Sequence, residues 1–159
     1  MSDTGCSLFA NTEQRPMISQ TRQLHHAAHS GDVEALKYLL ESGIDPDIRS
    51  NDGWTAFHRA AVAGKTDCAA LLLDAGADIE AIVTEEDIHG TTGLALAIMN
   101  GRVDTVDLLI RRGADVNREA RGRLNALGVA RDVEGRPWHK IAEQVEAIIR
   151  LLKEAGASE

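Results

Sequence analysis

Three neighbouring histidines are the residues whose type and spacing come closest to a metal site. His25 and His29 are four positions apart, with His26 between them, and this spacing places two imidazoles on one face of a helix. No carboxylate or thiolate accompanies them within the segment 24–29 to complete a ligand set. We therefore expect structural or surface roles and no metal site, with metal binding as the alternative.

Thr55 and His58 are a second pair of potentially reactive types, but catalysis needs more than a hydroxyl and an imidazole. A triad also requires an orienting acid, and no nucleophile elbow or suitably placed Asp accompanies this pair. The acidic run 85–87 is predicted on a loop, whereas a general acid–base pair needs burial in a cleft. No glycine-rich phosphate loop is present in the sequence. We expect no enzymatic activity, no catalytic residues and no cofactor.

The elements that position these side chains belong to an internal repeat. Equivalent residues recur after 33 and then 37 positions, at five places in each of three copies. Such a fixed offset is the signature of a repeat architecture. The residues in register are Gly31, Gly64 and Gly101; Gly43, Gly76 and Gly113; Leu24, Phe57 and Leu94; Ala27, Ala60 and Ala97; and the pairs 39–40, 72–73 and 109–110.

Each copy predicts two helices separated by a glycine turn. Small alanines on the first helix allow neighbouring helices to approach closely, and apolar residues recur at helical spacing on the second. A glycine follows each helix, as expected for a left-handed C-terminal cap. The predicted first helices are 24–29, 57–63 and 94–100, the predicted second helices are 33–41, 66–75 and 103–111, and a last helix is predicted at about 141–155.

The second copy carries the fullest motif. Residues 52–61 read D-G-W-T-A-F-H-R-A-A, and residues 113–117 read G-A-D-V-N. These stretches closely resemble the ankyrin repeat, whose pattern is D-G-x-T-P-L-H-x-A-A, then L-L and G-A-D-x-N. The resemblance covers about residues 21–156 and implies an all-α fold, an ankyrin-repeat solenoid of stacked helix-turn-helix units with short β-hairpin-like loops.

The resemblance also implies a division of the chain. We expect a flexible tail at 1–19 and a single ankyrin-repeat domain at 20–159, in which the first and last copies are atypical capping repeats. An insertion within 131–140 contains Trp138, which we expect to fold over the end of the stack, with ligand binding as the alternative. The expected repeats are about 21–49, 50–82, 87–119 and 120–159, with four extra residues somewhere in 81–87.

Two sets of site residues follow from the resemblance. The motif's Thr and His fasten a turn, which assigns structural roles to Thr55, His58 and the equivalent His25, and a looser turn is expected where Ala95 replaces the His. Trp54 is the expected anchor for a partner, or else it packs against the neighbouring hairpin. The expected partner-binding positions on the concave face are Asn51, Asp52, Trp54, Arg59, Val62, Ile88, His89, Thr91, Met99 and Asn100.

Composition narrows the class of partner. The net charge of −8 argues against nucleic acid and against an anionic membrane surface. A basic cluster remains, which is either solvated or contacts an acidic partner; its members are Arg111, Arg112, Arg118, Arg121 and Arg123. Two cysteines, Cys6 and Cys68, make no disulfide framework, and no signal peptide or transmembrane segment is visible. We expect a cytoplasmic chain.

The functional prediction is a non-catalytic protein–protein interaction module that binds an unidentified protein partner on its concave face and is monomeric by itself. One alternative is a metal- or small-molecule-binding protein that uses His25, His26 and His29 or the Trp138 region. Another is a self-associating subunit that uses the convex side or the tail.

Overall fold

The computed structural model of this protein describes residues 14–88, 90–119, 124–134 and 142–158, and of residues 14–18 the backbone alone. Eight α-helices lie within these ranges, together with one 3-10 turn at Glu86–Ile88. The helices are α1 (Gln14–Ser30), α2 (Val33–Glu41), α3 (Ala56–Ala63), α4 (Thr66–Asp74), α5 (Gly93–Met99), α6 (Val103–Arg111), α7 (Ala126–Glu134) and α8 (Ala142–Glu154).

The helices pack as four pairs in two layers. Each odd-numbered helix packs against the even-numbered helix that follows it. The first helices of successive pairs, α1, α3, α5 and α7, contact one another in that order, and so do α2, α4, α6 and α8. The all-α solenoid expected from the sequence is therefore confirmed.

Small residues on the first helices explain how closely the repeats stack. Ala27, Ala60, Ala97 and Ala130 occupy equivalent positions and are all buried. Because alanine contributes only a methyl group, neighbouring backbones can approach closely and still fill space at the density of a protein interior. The register read from the sequence thus coincides with the core.

The turns follow the glycine pattern. Gly64 ends α3 with a φ of +70°, a left-handed conformation that glycine adopts without steric cost. Before α5, the chain forms a narrow hairpin in which the Val83 N–H donates to the Thr91 carbonyl at 2.9 Å. The 3-10 turn occupies the tip of this hairpin and overlaps the segment 81–87, to which the four extra residues were assigned.

The first helix is longer than expected. It begins at Gln14, whereas the sequence predicted a helix at 24–29 and a tail up to residue 19. Residues 17–30 contain no Gly or Pro, and Pro16 lies in the first turn, where proline is tolerated. Helix formation can therefore extend well before the first repeat position.

Several sequence predictions fall outside the described residues, namely those on 1–13, His89, Arg121, Arg123 and Trp138. Among the residues that the structure does describe, no helix is both long and apolar enough to cross a membrane.

Candidate partner-binding surface

A hydrogen-bonded pair, Thr55 and His58, fastens the start of α3. The Thr55 backbone N–H donates to His58 Nδ1 at 3.1 Å, and the His58 backbone N–H donates to Thr55 Oγ1 at 3.3 Å. On the other side of the ring, Nε2–H donates to the Ala81 carbonyl at 2.9 Å. Both ring nitrogens are therefore engaged, and the imidazole ties one repeat to the loop that leads into the next.

Burial controls the protonation of this imidazole. His58 is fully buried, and desolvation is the main reason why its pKa falls from 6.5 to about 4. The Ala81 carbonyl acts in the opposite direction, since it favours the ring as a donor. A neutral, enclosed ring with two fixed partners is suited to holding structure.

His25 makes the equivalent contact one repeat earlier. Its Nε2–H donates to the Ile48 carbonyl at 3.0 Å, and burial is the main cause that lowers its pKa. Its Nδ1 has no hydrogen-bond partner among the described residues. The reason is that α1 continues through Arg22, which stands where Thr55 caps the second copy, so no free cap amide faces the ring.

The three histidines do not assemble a metal site. His25 is buried, whereas His26 and His29 are exposed on α1. Within the described residues, no group of three His, Cys, Asp or Glu side chains is placed to hold a metal ion. The geometry gives no support to the metal-binding alternative.

Trp54 lies in a network that spans two repeats. Its Nε1–H donates to Glu85 Oε2 at 2.7 Å, on the hairpin before α5. The Arg59 guanidinium lies 4.5 Å from the ring centre, a cation–π contact, and Arg59 also pairs with Asp52. Trp54 is half-buried, as in the interpretation that packs it against its neighbouring hairpin.

The third copy presents fewer of the expected contact residues. Thr91 is fully buried, so its assignment to the binding surface is wrong: hairpin pairing with Val83 encloses it. Met99 is half-buried and packs against the core, while Asn100 donates from Nδ2 to the Leu96 carbonyl at 2.8 Å. Ile88 is also half-buried.

Thr92 caps α5 in spite of the missing histidine. Its Oγ1 accepts a hydrogen bond from the Ala95 N–H at 3.3 Å. The reciprocal bond of the second copy is lost, because Ala95 has no side-chain acceptor. The turn at 91–92 therefore keeps one of the two capping hydrogen bonds that Thr55 and His58 form in the second copy.

A groove of about 760 Å³ lies between α1 and the loop 48–52. Arg22, His25, His26 and His29 line its α1 side, and Arg59 of α3 also borders it. The expected residues Asn51, Asp52 and Arg59 meet here. The expected anchor Trp54 does not line the groove, and neither do Val62, Ile88, Met99 and Asn100.

Two arginines of this groove, Arg22 and Arg49, were not predicted from the sequence. Arg22 and His26 are four residues apart and His29 follows three later, a helical spacing that could have revealed a shared stripe. The sequence around Arg49 contains no local pattern that could have placed this residue in the groove. Its Nη1 donates to the Gly53 carbonyl at 2.7 Å and to the Ile82 carbonyl at 2.9 Å, so its position depends on the stacking of two repeats.

Comparison with known proteins agrees with the architecture. The sequence model of the family described as Ankyrin repeats (3 copies) matches residues 24–120. The chain is 38% identical over 92 residues, 58% of its length, to Serine/threonine-protein kinase 12 of Arabidopsis thaliana, of which this covers 19%. It is 37% identical over 91 residues, 57% of its length, to human Ankyrin repeat and SOCS box protein 3, of which this covers 17%.

A third relative is Protein phosphatase 1 regulatory subunit 12A of Mus musculus, 40% identical over 76 residues, which are 42% of this chain and 7% of that protein. The chain thus matches less than a fifth of the length of each of these relatives. The family match covers more than half of the chain and coincides with three of the observed helix pairs. This protein belongs to the ankyrin-repeat family.

Proposed function

We propose that the chain is a non-catalytic protein–protein interaction module that binds a protein partner on its concave face. We define this face as the exposed side of α1, α3 and α5 together with the loop 48–54. The observation that supports the proposal most directly is the groove between α1 and the loop 48–52, whose walls belong to two different repeats.

Preorganisation favours binding by such a face. Hydrogen bonds from Arg49 to two carbonyls and from His58 to Ala81 hold the loops before any partner arrives. A surface that is already ordered loses little conformational entropy on association, so more of the contact energy appears as affinity. Among the relatives, one is by its name a regulatory subunit, a role that depends on contact with another protein.

The buried histidines argue for structure rather than for chemistry. A general base needs an accessible lone pair near its substrate. The ring nitrogens of His58 are both engaged with the protein's own backbone, and Nε2 of His25 is likewise engaged.

The cytoplasmic location and the monomeric state stay predictions, which cell fractionation and light scattering on the full chain would test.

The proposal is tested by capture of partners from a native extract. The test variant combines Asn51→Ala, Trp54→Ala and Met99→Ala on the proposed face. Its control combines Tyr38→Ala, Glu41→Ala and Arg150→Ala, on the exposed outer sides of α2 and α8.

We expect the test variant to lose the proteins that the natural chain captures and the control to retain them, as quantified by mass spectrometry. Thermal melting of both variants identifies any loss that is caused by unfolding. Equal capture by a folded test variant would contradict the assignment of the face.

A further inference from the structure

The charge around the groove is opposite to that of the whole chain. Arg22, Arg49 and Arg59 border it, against the single acid Asp52, so that the arginines exceed the acids by two charges. The complete chain carries a net charge of −8. A positively charged depression on an acidic protein is suited to attracting negatively charged ligands and repelling positively charged ones.

Two of these arginines supply the surplus. Arg59 is paired with Asp52 and lies over Trp54, so its charge is largely balanced. Arg22 and Arg49 form no ion pair with the residues that the structure describes. Their guanidinium groups are therefore the ones that an incoming anion can neutralise.

Arg49 is held in position without losing its charge. The two carbonyls that it contacts, of Gly53 and Ile82, are neutral acceptors and use only Nη1. A guanidinium carries five N–H donors in a rigid fork, which matches the two oxygens of a carboxylate. Fixing the fork in advance reduces the entropy lost when such a carboxylate binds.

The groove has the length of a short peptide stretch. Arg22 and His29 are seven residues apart on α1, which corresponds to about 10 Å along a helix axis at ~1.5 Å per residue. An extended peptide advances ~3.3 Å per residue, so about three residues span this wall. The volume of about 760 Å³ leaves room for their side chains.

From this charge and shape, we propose that the groove between α1 and the loop 48–52 binds an acidic peptide segment of the partner, with Arg22 and Arg49 each receiving an Asp or Glu carboxylate. This inference rests on the proposed function and specifies the chemistry of the bound segment. The Asn51 side chain also lines the groove and offers its amide to the peptide main chain.

Two pools of fluorescein-labelled peptides of about ten residues test the inference directly, because charge is the property that differs between them. In one pool every other position is Asp or Glu; in the other the same positions are Asn or Gln, and all remaining positions are equally randomised. Fluorescence anisotropy reports binding to the full chain. We expect the acidic pool to bind about tenfold more tightly, and its affinity to fall as NaCl rises from about 0.05 M to about 0.2 M.

Variants of Arg22 separate the groove from the charge of the whole protein. Arg22→Glu should weaken binding of the acidic pool about tenfold, whereas Arg22→Lys should weaken it less, because a lysine keeps the charge but lacks the guanidinium fork. Arg150→Glu makes the same change of net charge on α8 and should alter the affinity less than about twofold, since distant exposed charges are screened. Equal losses for Arg22→Glu and Arg150→Glu would overturn the inference.

Equal affinity for the acidic and amide pools would also overturn it. If free citrate then displaced both pools, the groove would be a site for small anions. Full capture of native partners by Arg22→Glu, with loss by the triple variant on the concave face, would reject the acidic segment while leaving the proposed function intact.

Discussion

Phe57 occupies the space that a β-carbon at Gly93 would need. An ideal Cβ built on Gly93 would lie 2.4 Å from Cε1 of the Phe57 ring, far inside contact distance. Phe57 stands where the family pattern has Leu, and Gly93 stands where it has Pro. These two departures, in adjacent repeats, compensate for each other, because the larger ring requires the smaller residue.

The substitution Gly93→Ala is therefore expected to destabilise the fold. Alanine favours helices, but the Phe57 ring is fully buried and cannot move into open space. Overpacking of this kind costs about 1–3 kcal/mol. Urea denaturation measures this loss of unfolding free energy. Gly93→Ala should cost less when it is introduced into the Phe57→Leu variant than when it is introduced into the natural chain. Strictly additive effects would show that the two positions are independent.

The two buried histidines should differ in their contribution to stability. His58→Ala removes a fully buried ring with partners on both nitrogens, and we expect a loss of about 2–4 kcal/mol. His25→Ala removes one ring hydrogen bond and should cost less. His26→Ala, at an exposed position, serves as the control. A larger loss for His25→Ala than for His58→Ala, by denaturant unfolding, would be inconsistent with these contacts.

Stability should decrease as the solution is acidified below neutrality. In the unfolded chain the pKa of His58 is near 6.5, whereas burial holds it at about 4 in the folded state. The unfolded state therefore binds more protons between these values, and the free energy of unfolding falls as pH drops from about 6.5 to about 4. The full gap corresponds to about 3 kcal/mol, and His25 acts in the same direction.

The variant His58→Asn isolates this contribution. Carboxylates also titrate in acid, so the informative quantity is the difference in unfolding free energy between the natural chain and the variant at each pH. We expect that difference to shrink as the pH is lowered, because protonation of His58 penalises only the natural chain. A difference that is constant from pH about 7.5 to about 4.5 would contradict the role of His58.

Local patterns predicted most of the architecture. Glycine spacing and apolar periodicity located the turns and helices from α2 to α6 within one residue of their observed ends. These features depend on residues close together in the chain, such as Thr55 and the His58 three positions later. The early start of α1 was not predicted, because residues 14–20 lie before the first repeat and share none of its register.

The proposed binding surface was harder to predict because its shape depends on contacts between repeats. Trp54 meets Glu85 across 31 positions, and Arg49 meets Ile82 across 33. Thr91 is buried in the hairpin where it pairs with Val83, and the four extra residues assigned to 81–87 make this hairpin irregular in the repeat pattern. A family pattern assigns such positions to a face, but it does not say which side chains remain available there.

Site-specific photocrosslinking tests the central claim, that the concave face contacts a protein partner. A benzoylphenylalanine residue would replace Asn51 or Val62 on that face, and Lys37 or Arg150 on the outer helices as controls. We expect irradiation to yield a protein adduct of one common mass from positions 51 and 62 and none from positions 37 and 150. Adducts from the outer positions alone would contradict it.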